Sequence, residues 1–200
     1  IGESQLGKIL VLKGGTAIHH CYLPQYRFSE DLDFTSLDQD IDLQTVVTAL
    51  ESTGEFTVRK KYESPATIKI ERLRPISIPY TNVWNISAGI QTMQLPEITA
   101  EKIRASATRA RYRDFYDLFL LLERADADLD QAFTLLRRKE IRSVVSPAAI
   151  VSNWRQAKEE ANDDLRSIYC TRQVESHAIE NMLAVLQFEP LLPGHEPGGQ

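Results

Sequence analysis

The spacing of apolar residues changes at Pro96, and this change restricts the folds that the chain can adopt. Before it, short β-branched and aliphatic runs alternate with turns, beginning with residues 8–12. After it, apolar residues recur three and four positions apart, as in amphipathic helices. These helical segments lie at residues 97–107, 114–124, 129–138, 147–165 and 174–187. Strands followed by a run of helices predict an α+β fold, in which a small mixed β-sheet core precedes a C-terminal helical region.

The expected domain organisation follows the same division. We expect an α/β core at residues 1–95, a helical region at 96–189 and a disordered tail at 190–200. The tail contains three prolines and three glycines, a composition typical of disorder. Within the core, further strands are predicted at residues 27–35, 55–62 and 66–73. An amphipathic helix is predicted after Asp42, which is a good N-cap residue.

Composition and charge exclude several classes of protein. The chain is 42% apolar and 26% charged, as expected for a soluble globular protein. No run approaches the roughly 20 apolar residues of a membrane span, so we expect no membrane partner. No secretory leader is recognisable and the two cysteines lack a metal-type spacing, which predicts a cytoplasmic protein without disulfides. The net charge of −5 argues against a surface made for bulk nucleic-acid binding.

Two carboxylates lie two positions apart in the predicted strand at residues 27–35. Asp31 and Asp33 therefore point to the same side of that strand. Mg²⁺, or Mn²⁺ in its place, binds carboxylate and phosphate oxygens and usually takes one or two protein carboxylates. Side-chain alternation in the predicted strand at residues 66–73 places Glu71 on its open face, which makes it a candidate third metal ligand. A solvated acidic strand explains all three residues equally well, so the pattern alone leaves the question open.

A pair of glycines follows the first predicted strand and begins a predicted helix. Backbone N–H groups at a helix N-terminus attract anions, and Gly14 and Gly15 carry no Cβ that would keep a phosphate away. A tight turn capped by Thr16 explains the same residues without a ligand. Together with the two aspartates, however, the turn predicts phosphoryl transfer, because that reaction requires phosphate positioning and charge neutralisation.

Four motifs give the chain a resemblance to a known family. The run LVLKGGTAIHHCYLPQYRFSEDLDF resembles the signature of the AbiEii/AbiGii-type nucleotidyltransferase toxins, a MenT-like branch of the polymerase-β-like nucleotidyltransferase superfamily. The later run ITAEKIRASATRARYRDFYDLFLLL is similar to the family's A-x-K and R-D-x-Y-D motifs. All four motifs occur in the family's order within residues 10–122.

This resemblance implies an activity and a biological setting. The chain would be a Mg²⁺-dependent nucleotidyltransferase that transfers NMP from an NTP to an acceptor hydroxyl, with its helical region completing the active site. RNA, such as the 3′ end of tRNA, is the expected acceptor, while a protein hydroxyl or a small molecule stays open. The protein would be the toxin of a toxin–antitoxin or phage-defence pair with a cognate antitoxin. The alternatives are an inactive module of the same fold that binds RNA or a protein partner and, less favoured, a D-x-D glycosyltransferase.

The resemblance also assigns roles to single residues. Asp31 and Asp33 would bind the metal and align the attacking hydroxyl, Lys102 would contact the phosphates, and Asp114 would be the distal acidic residue, with Asp117 one turn on. The expected nucleotide-binding residues are Lys13, Gly14, Gly15, Thr16, Arg27, Ser29 and Lys102. Simpler explanations stay open for the residues of the two later motifs. Asp114 fits the N-cap of a helix, and Lys102 fits a charged side chain in solvent.

Basic residues gather in the second pair of motifs. Five of them within twelve positions would attract a polyanionic acceptor such as RNA, although pairing with the acidic residues 30–42 is an alternative. His19 and His20 have no partner pattern and are expected at the surface. The five basic residues are Lys102, Arg104, Arg109, Arg111 and Arg113.

Overall fold

The computed structural model describes residues 1, 4–29, 31–38, 40–52, 76–79, 88–161 and 169–194. Within them, four strands and seven α-helices form a mixed α/β fold, which confirms the predicted class. The strands are β1 (Leu10–Lys13), β2 (Asp33–Ser36), β3 (Ile76–Pro79) and β4 (Gly89–Thr92). The helices are α1 (Gly14–Ala17), α2 (Leu43–Glu51), α3 (Leu95–Thr108), α4 (Tyr112–Arg124), α5 (Leu129–Leu136), α6 (Pro147–Glu159) and α7 (Ser176–Val185).

The four strands form one sheet in the order β2-β1-β4-β3. Strand β1 is antiparallel to β2 and parallel to β4, and β3 is antiparallel to β4. The register places Lys13, the last residue of β1, opposite Asp33, the first residue of β2. The glycine turn that follows β1 therefore lies beside the start of β2, and the sheet brings these two sequence motifs together.

The predicted strand at residues 27–35 is too long. Strand β2 begins only at Asp33, and the described residues before it are not in a strand. Phe28 and Leu32, which in such a strand would lie on the side opposite Asp31 and Asp33, are 52% and 62% exposed, whereas Arg27 is buried. The reason is an ion pair that draws Arg27 inward, so side-chain contacts replace strand pairing in this segment. The predicted strands at residues 55–62 and 66–73, together with Glu71, lie outside the described residues.

Helix α4 is the central element of the helical region. Its apolar face is fully buried by α3, α6 and α7, which pack around it. The same helix also carries Asp114 and Asp117, both fully buried. Because an isolated buried carboxylate is strongly unfavourable, these two residues require cationic partners from neighbouring elements. The buried apolar residues of α4 are Phe115, Tyr116, Leu118, Leu120 and Leu121.

Other parts of the chain agree with the sequence patterns or refine them. Asp42 caps α2 as predicted, since its side chain accepts a hydrogen bond from the Thr45 N–H at 2.6 Å. Leu191, within the predicted disordered tail, is instead buried and forms an antiparallel bridge with Val145. Residues 195–200 lie outside the described residues, and the division into two domains stays a prediction. No helix among the described residues has the length and apolar character needed to cross a membrane.

Candidate active site

A cleft of about 520 Å³ opens where β1 ends, between the sheet and helices α3 and α4. Most of the residues singled out from the sequence line it, although they come from distant parts of the chain. Thr16 lies beneath the cleft and donates a hydrogen bond from Oγ1 to the Asp31 carbonyl at 2.6 Å. Glu71 lies outside the described residues. The predicted residues that line the cleft are Lys13, Gly14, Gly15, Arg27, Ser29, Asp31, Asp33, Lys102 and Asp114.

The glycine turn packs so tightly against its surroundings that a side chain does not fit. Gly14 has a φ of +69°, and a Cβ there would collide with the carboxylate of Asp33. A Cβ on Gly15 would lie 2.5 Å from Nη2 of Arg27 and 2.8 Å from Oγ of Ser29. The backbone of the turn is therefore in direct contact with the segment that carries the aspartates, and both glycines are required by geometry.

Asp31 and Asp33 expose their carboxylates at the cleft. Within the described part of the chain, neither carboxylate accepts a hydrogen bond or takes part in an ion pair. Two such carboxylates at the cleft fit Mg²⁺, which usually takes one or two protein carboxylates and shares the rest of its shell with water and phosphate. No group of three His, Cys, Asp or Glu suited to a metal is found among the described residues, so a third protein ligand is not among them.

Asp117 is the centre of a buried charge cluster beneath the cleft. Its Oδ1 accepts a hydrogen bond from Nε of Arg27 at 2.7 Å and lies 3.0 Å from Nε2 of His19. Its Oδ2 lies 2.6 Å from Nη2 of Arg27 and 2.7 Å from Nζ of Lys102. Burial alone would raise the pKa of Asp117, but the charges of Lys102 and Arg27 hold it well below its usual value. An ionised Asp117 thus fixes two of the cations at the cleft.

Asp114 holds the cations on the other side of this cluster. Its Oδ1 lies 2.9 Å from Nζ of Lys102, and its Oδ2 lies 2.7 Å from Nε of Arg109. Burial raises the pKa of Asp114, whereas Lys102 and Arg109 lower it by more, so the net shift is downward. The two simpler explanations are wrong: the N-cap of α4 is Arg111 rather than Asp114, and Lys102 is buried rather than solvated.

The position of His19 also differs from the prediction. It was expected at the surface but is buried against Asp117, and its ring stacks on Tyr116 at 6.5 Å between centroids. The cause is the π-helical turn Ile18–Tyr22, which directs this side chain towards α4. The partners are 98 residues apart in sequence, so only the packing of α4 reveals the contact. The spacing of Asp114 and Asp117, three positions apart on one helix, is the signal that pointed to a shared face.

All five basic residues of the second motif pair line the cleft. Three of them form ion pairs with acidic residues of α3 and α4. Arg104, for example, pairs with Glu101 at 2.5 Å, as Lys102 and Arg109 do with Asp114. Arg111 is exposed and has no ion pair among the described residues. The cleft therefore combines two free carboxylates with a lining of positive charge.

One comparison with known proteins identifies a family. A family model described as nucleotidyl transferase AbiEii toxin, type IV toxin–antitoxin system, matches residues 1–83 and 55–183. MenT4, a nucleotidyltransferase toxin from Mycobacterium tuberculosis H37Rv, matches among solved structures with 19% identity and a TM-score of 0.38, over 90% of this chain and 85% of that chain. A search of curated proteins finds no significant match. The matched ranges of the family model include every residue that lines the cleft.

Proposed function

Because this chain belongs to the AbiEii nucleotidyl transferase toxin family of type IV toxin–antitoxin systems, we propose that it transfers a nucleoside monophosphate from an NTP to an RNA hydroxyl. The acceptor is the 3′ end of an RNA such as tRNA, pyrophosphate is released, and a cognate antitoxin restrains the activity. One observation supports this proposal above the others. The glycine turn, two free carboxylates and a set of fixed cations share a single cleft.

The triphosphate is held by the glycine turn and the cations around it. Gly14 and Gly15 line the cleft in the first turn of α1, where backbone N–H groups have no partner within the helix and favour an anion. Nη2 of Arg27 lies against Gly15, and Lys102 reaches the cleft from α3. Since Arg27 and Lys102 are anchored by Asp117, they are positioned before a nucleotide arrives and need little reorganisation when it binds.

Asp31 and Asp33 are the residues that would hold Mg²⁺. When bound, the ion would neutralise charge on the phosphates and supply Lewis-acid assistance at the reacting phosphorus. The hydrogen bond from Thr16 to the Asp31 carbonyl fixes the backbone of this segment beside the glycine turn. The two aspartates also orient the attacking hydroxyl, so that nucleophile and phosphate meet at a defined place.

A transfer assay tests the proposal directly. The protein is incubated with each of the four α-³²P-labelled NTPs and total tRNA, with Mg²⁺ or with EDTA. We expect Mg²⁺-dependent labelling of RNA that is lost in Asp31→Asn and Asp33→Asn, which keep the side-chain shape. Asp130→Asn, at an exposed position of α5 away from the cleft, is the matched control and should keep full activity.

Stability measurements separate loss of chemistry from loss of fold. Because both carboxylates are exposed and unpaired in the described structure, Asp31→Asn and Asp33→Asn should unfold at the same urea concentration as the unmodified protein. Full activity in these folded variants, or labelling that persists in EDTA, would contradict the metal site. The same reactions are repeated with lysate protein in place of tRNA. Labelling of that protein without labelling of RNA would contradict the RNA acceptor but not nucleotidyl transfer.

A further inference from the structure

An exposed aromatic side chain lies beside the cleft on the segment that carries the aspartates. Phe28 stands between Arg27 and Ser29, both of which line the cleft, but its own ring does not and is 52% exposed. Contiguous exposed apolar surface with polar residues around it often marks an interaction site, whereas a single exposed ring does not. Phe28 itself contributes little to the core and keeps about half of its surface open to solvent.

A second exposed aromatic residue meets Phe28 from a distant part of the sequence. Tyr169 is 72% exposed, and its ring centroid lies 6.3 Å from that of Phe28 with an angle of 85° between the planes. This edge-to-face arrangement is favourable for aromatic pairs, and the exposure of both rings shows that aromatic surface remains open to solvent. A flat ligand can therefore stack on one ring while its edge meets the other.

The segment that carries Tyr169 is tied to the segment that carries Phe28. The Thr171 N–H donates to the Tyr26 carbonyl at 2.8 Å, and the guanidinium of Arg172 lies 5.4 Å from the centre of the Tyr26 ring. From below, the Tyr116 hydroxyl donates to the Arg172 carbonyl at 2.8 Å. Tyr169 also has a φ of 45°, which is uncommon for a bulky residue. The two segments that carry the rings are thus connected to each other by the fold.

We propose that Phe28 and Tyr169 form a stacking surface for an unpaired base of the acceptor RNA. The proposal rests on the proposed function and adds the site that receives the acceptor strand. Asp31 follows Phe28 by three residues, which span at most about 11 Å, so a stacked base would lie close to the reacting hydroxyl. Because neither ring lines the cleft that takes the triphosphate, the base belongs to the acceptor rather than to the NTP.

The surroundings of the pair fit a single-stranded nucleic acid. Proteins bind unpaired strands by combining aromatic side chains, on which bases stack, with a basic groove that follows the phosphates. The cleft beside the pair supplies the basic groove, through side chains such as Arg109, Arg111 and Arg113. A stacked base would hold the end of the strand while these cations hold its backbone.

Transfer kinetics test the stacking surface with matched variants. Phe28→Leu and Tyr169→Leu keep apolar bulk but remove the ring, whereas Phe28→Tyr and Tyr169→Phe keep it. We expect the KM for tRNA to rise roughly 5- to 150-fold in the leucine variants, which corresponds to about 1–3 kcal/mol per stacked base. The KM for NTP should stay within about twofold, and the ring-keeping variants should match the unmodified protein.

A binding measurement separates stacking from charge and does not depend on transfer. The probes are a fluorescent single-stranded RNA octamer and an abasic octamer with the same number of phosphates. We expect the unmodified protein to bind the octamer with bases more tightly than the abasic one. Phe28→Leu should lose this preference and keep the same affinity for the abasic octamer. Val185→Ala, at an exposed apolar position that does not line the cleft, is the control and should keep the preference.

Each remaining result has a defined meaning. An unchanged KM for tRNA in folded leucine variants overturns the stacking surface, as does a rise in the KM for NTP alone. The same holds if Phe28→Leu loses equal affinity for the two octamers. Absence of base-dependent binding by the unmodified protein also overturns it. If that protein transfers no nucleotide but still prefers the octamer with bases, the proposed function fails and the stacking surface stands.

Discussion

At the scale of single residues, Asp117 has the largest expected effect on stability. Replacing it with asparagine leaves Arg27 and Lys102 buried beside a neutral group. Breaking a buried pair in this way costs about 3–5 kcal/mol, because the remaining charge is not solvated. We therefore expect Asp117→Asn to lower the free energy of unfolding by that amount in urea titrations. Glu123→Gln, which breaks an exposed pair with Arg172, is the control; equal losses in the two variants would contradict the role of burial.

The same residue predicts how stability depends on pH. The pKa of Asp117 in the folded protein lies well below its usual value of 3.8, so the folded state binds fewer protons than the unfolded state as the solution is acidified. The stabilisation is complete above the unfolded pKa and disappears as the pH falls through the folded one. Urea titrations below about pH 4 should show a steep loss in the unmodified protein. If the free energy of unfolding of Asp117→Asn falls equally steeply with pH, groups other than Asp117 cause the acid sensitivity.

The glycine turn gives a prediction about activity rather than stability. In Gly15→Ala, the new Cβ would displace Arg27 and Ser29 from their positions at the cleft. We expect the KM for NTP to rise and kcat to fall, each by about tenfold, because displacements of 1 Å are costly in a positioned site. Gly89→Ala is the matched control, since the nearest atom to its Cβ would be Ser77 Oγ at 3.4 Å. Equal activity of Gly15→Ala and Gly89→Ala would contradict the steric argument.

What the sequence could predict of the site depended on local spacing. Two glycines after a strand and two aspartates two apart were recognisable as motifs, and the structure places both at one cleft. Their catalytic and binding roles stay predictions. The burial of His19 could not be predicted, because its contact with Asp117, 98 residues away, is made only when the chain folds.

At the scale of elements, α3 is held by a buried lysine from outside the helix. Nζ of Lys139 lies 3.0 Å from Oε1 of Glu97 and 3.0 Å from Oε1 of Glu101, both on α3. Lys139→Met should destabilise the protein by several kcal/mol, because Glu97 would remain buried without its cation. Since α3 also carries Lys102, the variant should lose transfer activity at temperatures where it is still folded.

Lys158→Met is the matched control for this prediction. Its side chain pairs with Glu180 at 2.8 Å, but both partners are nearly half exposed, so little stability should be lost. Thermal unfolding and transfer assays on both variants provide the comparison. A Lys139→Met protein that unfolds at the same temperature as Lys158→Met would show that the buried pair does not secure α3.

Helices and strands were predicted correctly where the local spacing of apolar residues determines the structure. The helices after Pro96 follow from apolar spacing, and α4 begins and ends within two residues of its predicted bounds. The strand at residues 27–35 was predicted from alternation alone and is mostly wrong. There the ion pair of Arg27 with Asp117 determines which side chain turns inward, and a residue 90 positions away cannot be read from local alternation.

At the scale of the whole molecule, charge is distributed unevenly. The net charge is −5, but the cleft is lined by basic side chains, so the affinity for RNA bound there should fall as the salt concentration rises. Replacing the exposed Arg111 with glutamine should reduce the slope of log K against log salt by about 0.7 to 1. Arg155→Gln, exposed on α6 away from the cleft, should leave the slope unchanged. Equal slopes for the two variants would place the RNA elsewhere.

The cluster around Asp117 has a consequence for the synthesis of the protein. Arg27 is made early, whereas its carboxylate partner follows 90 residues later on α4. At roughly 5–20 residues per second, this separation corresponds to about 5–18 s of translation. During that interval the nascent chain has the glycine turn and the aspartates but not the charge that orients Arg27. Because Arg27 lacks this partner until α4 has been made, the cleft of the nascent chain cannot reach its final arrangement before that point.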